Sequence, residues 1–186
     1  MKNPIIILAA FSLALAGGTR QASATLVNSN SVVRDNIEYI MQTDKSVYNL
    51  GENVQLLYEV INRGSYSITF HFNDQVQYYF TVKDNGNLIW DAPKVGFPAL
   101  SSFTLPPGYF KQYTETWNMR NNQGLFITPG SYEITGSLDP VFLSQADSNR
   151  YVPVSVQIGV IPEPATVILL GLGGLFALSR RHKKAQ

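Results

Sequence analysis

Apolar and polar residues alternate along the middle of the chain, from residue 36 to residue 160. A period of two is typical of β-strands that bury one face, and no stretch of this region keeps a helical period. The alternation predicts seven or eight short strands, at residues 37–42, 54–61, 68–72, 78–83, 88–90, 109–117, 132–136 and 152–158. Residues 25–35 have no clear period, and we expect a flexible leader there.

Gly, Pro and Asn residues separate these strands. The segment from Asp84 to Asn87 is the strongest hairpin signal, because Asn and Gly tolerate the positive φ of a tight turn. Two Pro and one Gly interrupt residues 91–102, which we expect to form the longest irregular loop. Tyr132 has two readings: a buried corner whose hydroxyl bonds back to the main chain, or a tyrosine that merely starts a strand.

The pattern as a whole predicts an all-β fold. Short strands between Gly, Pro and Asn turns favour an immunoglobulin-like antiparallel β-sandwich, here over residues 36–160. About 140 residues can bury a sizeable core, and we expect a single domain.

Both ends of the chain have patterns of their own. Residues 1–24 begin with Lys2, continue with an apolar stretch and end with small residues around Ala22 and Ala24, so they predict a signal peptide cut by signal peptidase. Residues 165–178 are an apolar run, shorter than the ~20 residues usually needed to span a bilayer, and predict a short transmembrane helix. The tail, residues 179–186, holds the basic cluster that would keep it cytoplasmic: Arg180, Arg181, Lys183 and Lys184.

Two prolines stand just before the apolar run. Pro162, Glu163 and Pro164 fall in the short segment 161–164, which proline keeps out of a helix interior and which should be extended and accessible. This triplet, the Gly-containing apolar run and the basic tail together resemble the PEP-CTERM sorting signal of bacterial surface proteins. The resemblance implies an exosortase-type membrane protease as partner and an exopolysaccharide matrix as surroundings. An ordinary C-terminal anchor with a proline-containing stalk is the alternative.

Composition narrows the partners of the exported part. Between residues 25 and 164 stand eight basic and all 13 acidic residues, a formal charge of −5, so a nucleic-acid partner is not expected. The chain has no cysteine. With one histidine in this part, a zinc site lacks its usual ligands, and we expect neither a metal nor a cofactor.

Candidate catalytic residues are few. His71 stands between two phenylalanines of a strand, where it is more simply an outward neighbour of the core than a catalytic base. Carboxylate pairs for glycoside chemistry could come from Glu52, Glu59, Glu115 and Glu133, although turns and solvated strand faces explain them equally. Asp84, Asn85 and Asn87 have the start of a calcium loop without its closing acid. We therefore expect no enzymatic activity, with a hydrolase as the least favoured reading.

A second resemblance covers residues 40–137. Its segments are 48–54, 60–62, 78–82, 88–90, 105–108 and 128–132, together with Trp117, and in this order and spacing they resemble the intracellular proteinase inhibitor (BsuPI) family. After Trp90 the residues Asp91, Ala92 and Pro93 replace the polar and basic residues typical of that family. The resemblance implies inhibition of a serine protease.

Two functions follow as expectations. In the first, the domain is a non-catalytic module displayed outside the inner membrane, anchored at least for a time, that binds matrix polysaccharide or another surface protein. Tyr66, Tyr78, Tyr79, Tyr109 and Tyr113 would either fill the core or present rings to such a partner. In the second, it is an exported serine-protease inhibitor that presents Phe97, Pro98, Ala99 and Leu100 in an extended loop.

Overall fold

The computed structural model describes residues 28–72, 75–92, 99–139 and 151–163. Within these ranges the chain forms eleven strands, because short runs of β-branched and aromatic residues are interrupted by turns every few residues. The strands are β1 (Asn28–Arg34), β2 (Ile37–Thr43), β3 (Val47–Asn49), β4 (Val54–Asn62), β5 (Ile68–Phe72), β6 (Tyr78–Asp84), β7 (Asn87–Asp91), β8 (Ser101–Leu105), β9 (Phe110–Trp117), β10 (Gly130–Leu138) and β11 (Val154–Ile161).

The strands form three sheets. The first has the order β1-β2-β4-β9, the second the order β3-β11-β10-β6-β7, and the third pairs β5 with β8. All neighbours are antiparallel except β3 and β11, which run parallel. The all-β prediction is therefore confirmed.

The inward faces of the first two sheets share one core. The predicted inward residues Ile37, Tyr39 and Met41 of β2 are fully buried, as are alternate residues of β4, β6, β10 and β11. Gly136 on β10 faces Tyr58 on β4, so the second sheet approaches the first closely at this point. The alternation of apolar residues thus points into the contact between the sheets.

The structure corrects three predictions about the strands. The flexible leader expected at residues 25–35 forms β1 over Asn28–Arg34, which pairs with β2 along its whole length. The irregular loop expected at residues 91–102 overlaps both β7, which extends to Asp91, and β8, which starts at Ser101. The short strand β3 was also missed, so the described ranges contain eleven strands rather than seven or eight.

Two predicted turns are confirmed. Asp84 pairs with Asn87 across the β6–β7 hairpin, with Asn85 and Gly86 at φ of 47° and 81°. These positive values are what a two-residue hairpin turn with right-handed twist requires. The Tyr132 hydroxyl donates a hydrogen bond to the carbonyl of Thr128, so the corner reading of this tyrosine is the one that the structure shows.

The chain enters and leaves the described domain at one end. The first residue of β1, Asn28, lies opposite Thr43 and donates from its side chain to the carbonyl of Gln157 on β11. The last residue of β11, Ile161, accepts a hydrogen bond from the Leu50 amide. We call this the exit end.

The opposite end of the first sheet is the far end. Here Ile37 starts β2 opposite Asn62, and Ile61 lies opposite Phe110 at the start of β9. The seven residues of β2 separate the two ends by roughly 20 Å at about 3.4 Å per residue.

The predicted signal peptide (1–24), short transmembrane helix (165–178) and basic tail (179–186) lie outside the described residues. In the ranges that are described, no helix has the length and apolar character to cross a membrane.

Candidate functional site

The sorting segment begins where the last strand ends. Ile161 closes β11 with its carbonyl bonded to the Leu50 amide at 2.9 Å, and Pro162 and Glu163 follow outside the sheet. Both are exposed, as the sequence predicted for this segment. Glu163 lies beside the Gly51 turn, its Oε1 3.7 Å from where a Cβ of residue 51 would stand.

The other parts of the predicted sorting apparatus lie outside the described residues. They are Pro164, the basic cluster Arg180, Arg181, Lys183 and Lys184, and the signal-cleavage residues Ala22 and Ala24.

Three aromatic side chains are exposed near the far end. Tyr66 is 82% exposed, Tyr109 63% and Phe110 45%. Tyr66 lies in the turn after β4, Tyr109 in the turn before β9, and Phe110 is the first residue of β9. We call these three residues the far-end aromatic surface. Exposed rings of this kind offer flat apolar contact area to a partner.

One buried polar side chain holds the two turns that carry this surface. Asn62 is fully buried, and its Nδ2 donates to the carbonyls of Tyr66 at 2.7 Å and Leu105 at 2.9 Å. Its Oδ1 accepts from the Gly64 amide at 2.9 Å, and its main-chain amide donates to the Tyr109 carbonyl at 3.0 Å. Since every polar group of Asn62 is used, the turns of Tyr66 and Tyr109 are fixed to the same point.

Sequence reasoning missed Asn62 and Phe110 as parts of this surface. Asn62 was recognised only as the start of a turn, and the residues that bond to it become visible in the fold alone. Phe110 follows the Pro106–Gly108 turn, which could have marked it as exposed, because a residue next to a tight turn often lies at the rim of a sheet.

Other tyrosines of the middle region belong to the interior. Tyr113 and Tyr78 stack with ring centroids 4.5 Å apart, and the Tyr78 hydroxyl donates to Glu115 at 3.0 Å. Burial, followed by the nearby Tyr78, raises the pKa of Tyr113 well above its ordinary value. Burial, followed by the hydrogen bond to Glu115, also raises the pKa of Tyr78. These two phenols therefore hold the sheets together in their neutral form.

His71 occupies the position that the simpler reading of the sequence gave it. It is exposed on β5 between the buried Phe70 and Phe72. The main-chain groups of His71 exchange two hydrogen bonds with the Tyr151 hydroxyl, which donates to the His71 carbonyl at 3.0 Å and accepts from its amide at 3.2 Å. No bond from its imidazole to a carboxylate occurs in the described contacts.

The four glutamates that could form a catalytic pair each have a different partner. Glu52 bonds to Lys45 and Asn49 at 2.9 Å each, and the bond from Asn49, then that from Lys45, lowers its pKa. The others accept from one side chain each: Glu59 from Gln112, Glu115 from Tyr78, and Glu133 from Gln157. Separate partners on separate strands favour structural or solvated roles for these carboxylates.

The Asp84–Asn87 segment is the β6–β7 turn, in which the Asn85 side chain donates to Asp84 Oδ1 at 2.9 Å. Among the described residues, no group of three or more His, Cys, Asp or Glu is placed to hold a metal ion.

The predicted inhibitory loop is described only in part. Phe97 and Pro98 lie outside the described residues, while Ala99 and Leu100 are exposed, Leu100 to 83%. Directly after Leu100 the chain enters β8, which pairs with β5. The end of the loop is therefore attached to a sheet.

These observations define the class of protein as an all-β domain followed directly by an exposed sorting segment. More particularly, the chain belongs to the intracellular proteinase inhibitor family, BsuPI, whose family model matches residues 41–140, 100 of the 186 residues. The PEP-CTERM protein-sorting motif matches residues 160–184. Both resemblances seen in the sequence are confirmed. The motif implies export and processing by exosortase, a membrane protease.

Three solved structures illustrate the similarities found by shape. The CARDB domain of the PF1109 protein from Pyrococcus furiosus is 16% identical, with a TM-score of 0.36, over 66% of this chain and 90% of that one. The C-terminal domain of wzt is 8% identical, with a TM-score of 0.43, over 73% of this chain and 79% of that one. The alkylpurine DNA glycosylase AlkC from Pseudomonas fluorescens is 12% identical, with a TM-score of 0.41, over 69% of this chain.

This chain spans only 31% of the AlkC chain. With TM-scores below 0.5, these similarities carry no argument about function. The comparison with curated proteins found no match.

Proposed function

We propose that this protein is an exported, non-catalytic binding module with an immunoglobulin-like sandwich topology, displayed at the cell surface, whose far-end aromatic surface binds a neutral matrix polysaccharide. The observation that carries this proposal is the placement of Tyr66, Tyr109 and Phe110 near the end of the domain opposite the sorting segment. A domain tethered through Pro162 would present its far end outward.

The chemistry of the far end favours an uncharged ligand. Arg63 donates to Glu38 at 2.8 Å through Nε, and its second nitrogen lies 2.6 Å from the same carboxylate oxygen, so these two charges neutralise each other. The exported part has a formal charge of −5, which disfavours acidic polymers. Rings held by a rigid scaffold lose little conformational freedom on stacking, and neutral sugars present flat apolar faces to such rings.

A binding assay tests the proposal. The mature protein is titrated with neutral and acidic polysaccharides, and we expect binding to a neutral polymer that weakens about tenfold or more in a Tyr66→Ala, Tyr109→Ala double variant. Leu125→Ala is the matched control, because Leu125 is also a large exposed apolar residue, 65% exposed and outside this surface. Equal binding by both variants would contradict the proposal.

The second candidate is an exported serine-protease inhibitor. Family membership favours it, and so does Leu100, which is exposed next to the anchored end of the predicted inhibitory loop. A loop fixed at one end loses less freedom when a protease cleft binds it.

A panel of serine proteases separates the two candidates. Inhibition at micromolar protein that is lost in Leu100→Asp and retained in the Tyr66→Ala, Tyr109→Ala variant would establish the inhibitor. No inhibition of any serine protease would leave the polysaccharide module.

A further inference from the structure

The last strand of the domain is fixed by a short parallel pairing. Gly159 lies opposite Val47, Val160 opposite Tyr48, and Ile161 opposite Asn49. The Gly159 amide donates to the Ser46 carbonyl, and the Leu50 amide donates to the Ile161 carbonyl, each at 2.9 Å. We call this pairing of β3 with the end of β11 the exit clamp.

Side chains on the β3 side reinforce the exit clamp. Tyr48 is 1% exposed, and its hydroxyl donates to Asp44 at 2.7 Å and accepts from the Lys45 amide at 3.0 Å. Glu52, bonded to Lys45 and Asn49, closes the turn that follows β3. The segment that holds Ile161 is therefore itself ordered by a network of contacts.

The clamp leaves a short free segment. Only Pro162, Glu163 and Pro164 separate Ile161 from the apolar run that starts at Ala165, about 10 Å when extended. An enzyme that binds an extended segment does so partly by pairing with its main-chain groups. The Ile161 carbonyl already pairs with Leu50, and two of the three residues that follow are prolines without an amide hydrogen.

We propose that the exit clamp controls processing: Ile161 must leave β3 before the membrane protease can engage the Pro-Glu-Pro segment. This inference rests on the exported, exosortase-processed part of the proposed function and not on the ligand of the far end. Short terminal pairings open locally at a lower free energy than the whole fold unfolds, so the clamp can open while the domain stays folded.

A reversible lock tests the proposal. The chain has no cysteine, so Val47→Cys with Gly159→Cys introduces a single pair, at directly opposed positions where a Cβ on residue 159 would lie 3.7 Å from Val47 Cγ2. The full chain is produced with its membrane protease, and the shortened product is followed by mass spectrometry. We expect processing at least about tenfold slower with the disulfide closed and restored by a reductant, with each single cysteine variant as control.

A second variant bypasses the clamp without touching it. Six Gly and Ser residues inserted between Ile161 and Pro162 should speed processing of the unlocked chain and restore it in the locked chain. Equal processing of locked and reduced chains, or no effect of the insertion, would overturn the proposal.

The same experiment separates the two levels of inference. If the unmodified chain is not shortened at all in the presence of the protease, the processing part of the proposed function fails and the clamp has nothing to control. If it is shortened at a rate independent of the lock, only the clamp proposal fails.

Discussion

The two main sheets approach each other closely at a residue without a side chain. A Cβ at Gly136 of β10 would lie 2.6 Å from Tyr58 Cδ2 and 2.9 Å from Met41 Sδ, distances that real Cβ atoms essentially never show. Both neighbours are fully buried, so neither can move aside without disturbing the core. Gly136 therefore sets the local separation of the sheets.

Gly136→Ala should lower the free energy of unfolding by about 1–3 kcal/mol, because an added methyl overpacks the core. Gly159→Ala is the control: its Cβ would meet nothing closer than 3.7 Å, so we expect no loss or a gain of about 0.4–1 kcal/mol. Chemical denaturation of both variants measures the difference. Equal midpoints would show that the core accommodates the methyl.

Asn62 shows how far single residues could be predicted. The sequence marked it correctly as the end of a strand, because Asn-Arg-Gly-Ser favours a turn. Its complete burial was beyond the sequence, since one of its carbonyl partners, Leu105, is 43 positions away. His71 was predictable because its role depends only on the alternation of its own strand.

Among the elements, β1 has the weakest apolar pattern and an unusual attachment. Most of its residues are exposed, and it is held by its pairing with β2 and by two asparagine side chains. Asn28 donates to the Gln157 carbonyl and Asn30 to the Ser155 carbonyl, each at 2.9 Å. These side chains connect the first sheet to β11 of the second sheet along one side.

Asn30→Ala should loosen β1 while leaving the core intact, because it removes a bond from β1 to β11 and leaves the core side chains in place. We expect amide hydrogens of β1 to exchange about fivefold to tenfold faster, for a loss on the order of 1 kcal/mol. Ser29→Ala, on the opposite face of β1, is the control. Unchanged exchange in Asn30→Ala would mean that pairing with β2 alone orders the strand.

The elements missed by the sequence share a physical cause. β1, β3 and β8 are short or largely exposed, so partner strands stabilise them more than a buried face of their own. Strands β2, β4, β6, β10 and β11 have alternate residues in the core and were predictable for that reason.

At the scale of the whole molecule, buried tyrosines link the fold to alkaline pH. Desolvation is the first cause that raises the pKa of each of Tyr48, Tyr58, Tyr78 and Tyr113 above its ordinary value of 10.0. A raised folded-state pKa means that the folded state keeps its phenolic protons where the unfolded state has lost them. The stability that they contribute is complete below pH 10 and is lost as the pH rises through the folded-state pKa.

The melting temperature should therefore fall steeply above about pH 10. Tyr113→Phe should flatten this fall, because one phenol that ionises more readily in the unfolded chain is removed. Melting curves between pH 8 and pH 11.5, with Tyr66→Phe on the exposed surface as control, measure the effect. A fall of the same slope in the wild type and in Tyr113→Phe would contradict the assignment.

The sequence by itself determined the all-β class, most core strands, the Asp84–Asn87 hairpin, the sorting motif and the inhibitor family, because these depend on local period, turn chemistry and contiguous motifs. Only the tertiary structure decided the pairing of β1 and β3, the burial of Asn62, and the position of the far-end aromatic surface opposite Ile161. These features depend on contacts between residues distant in the chain, which a local pattern of apolar and polar residues does not encode.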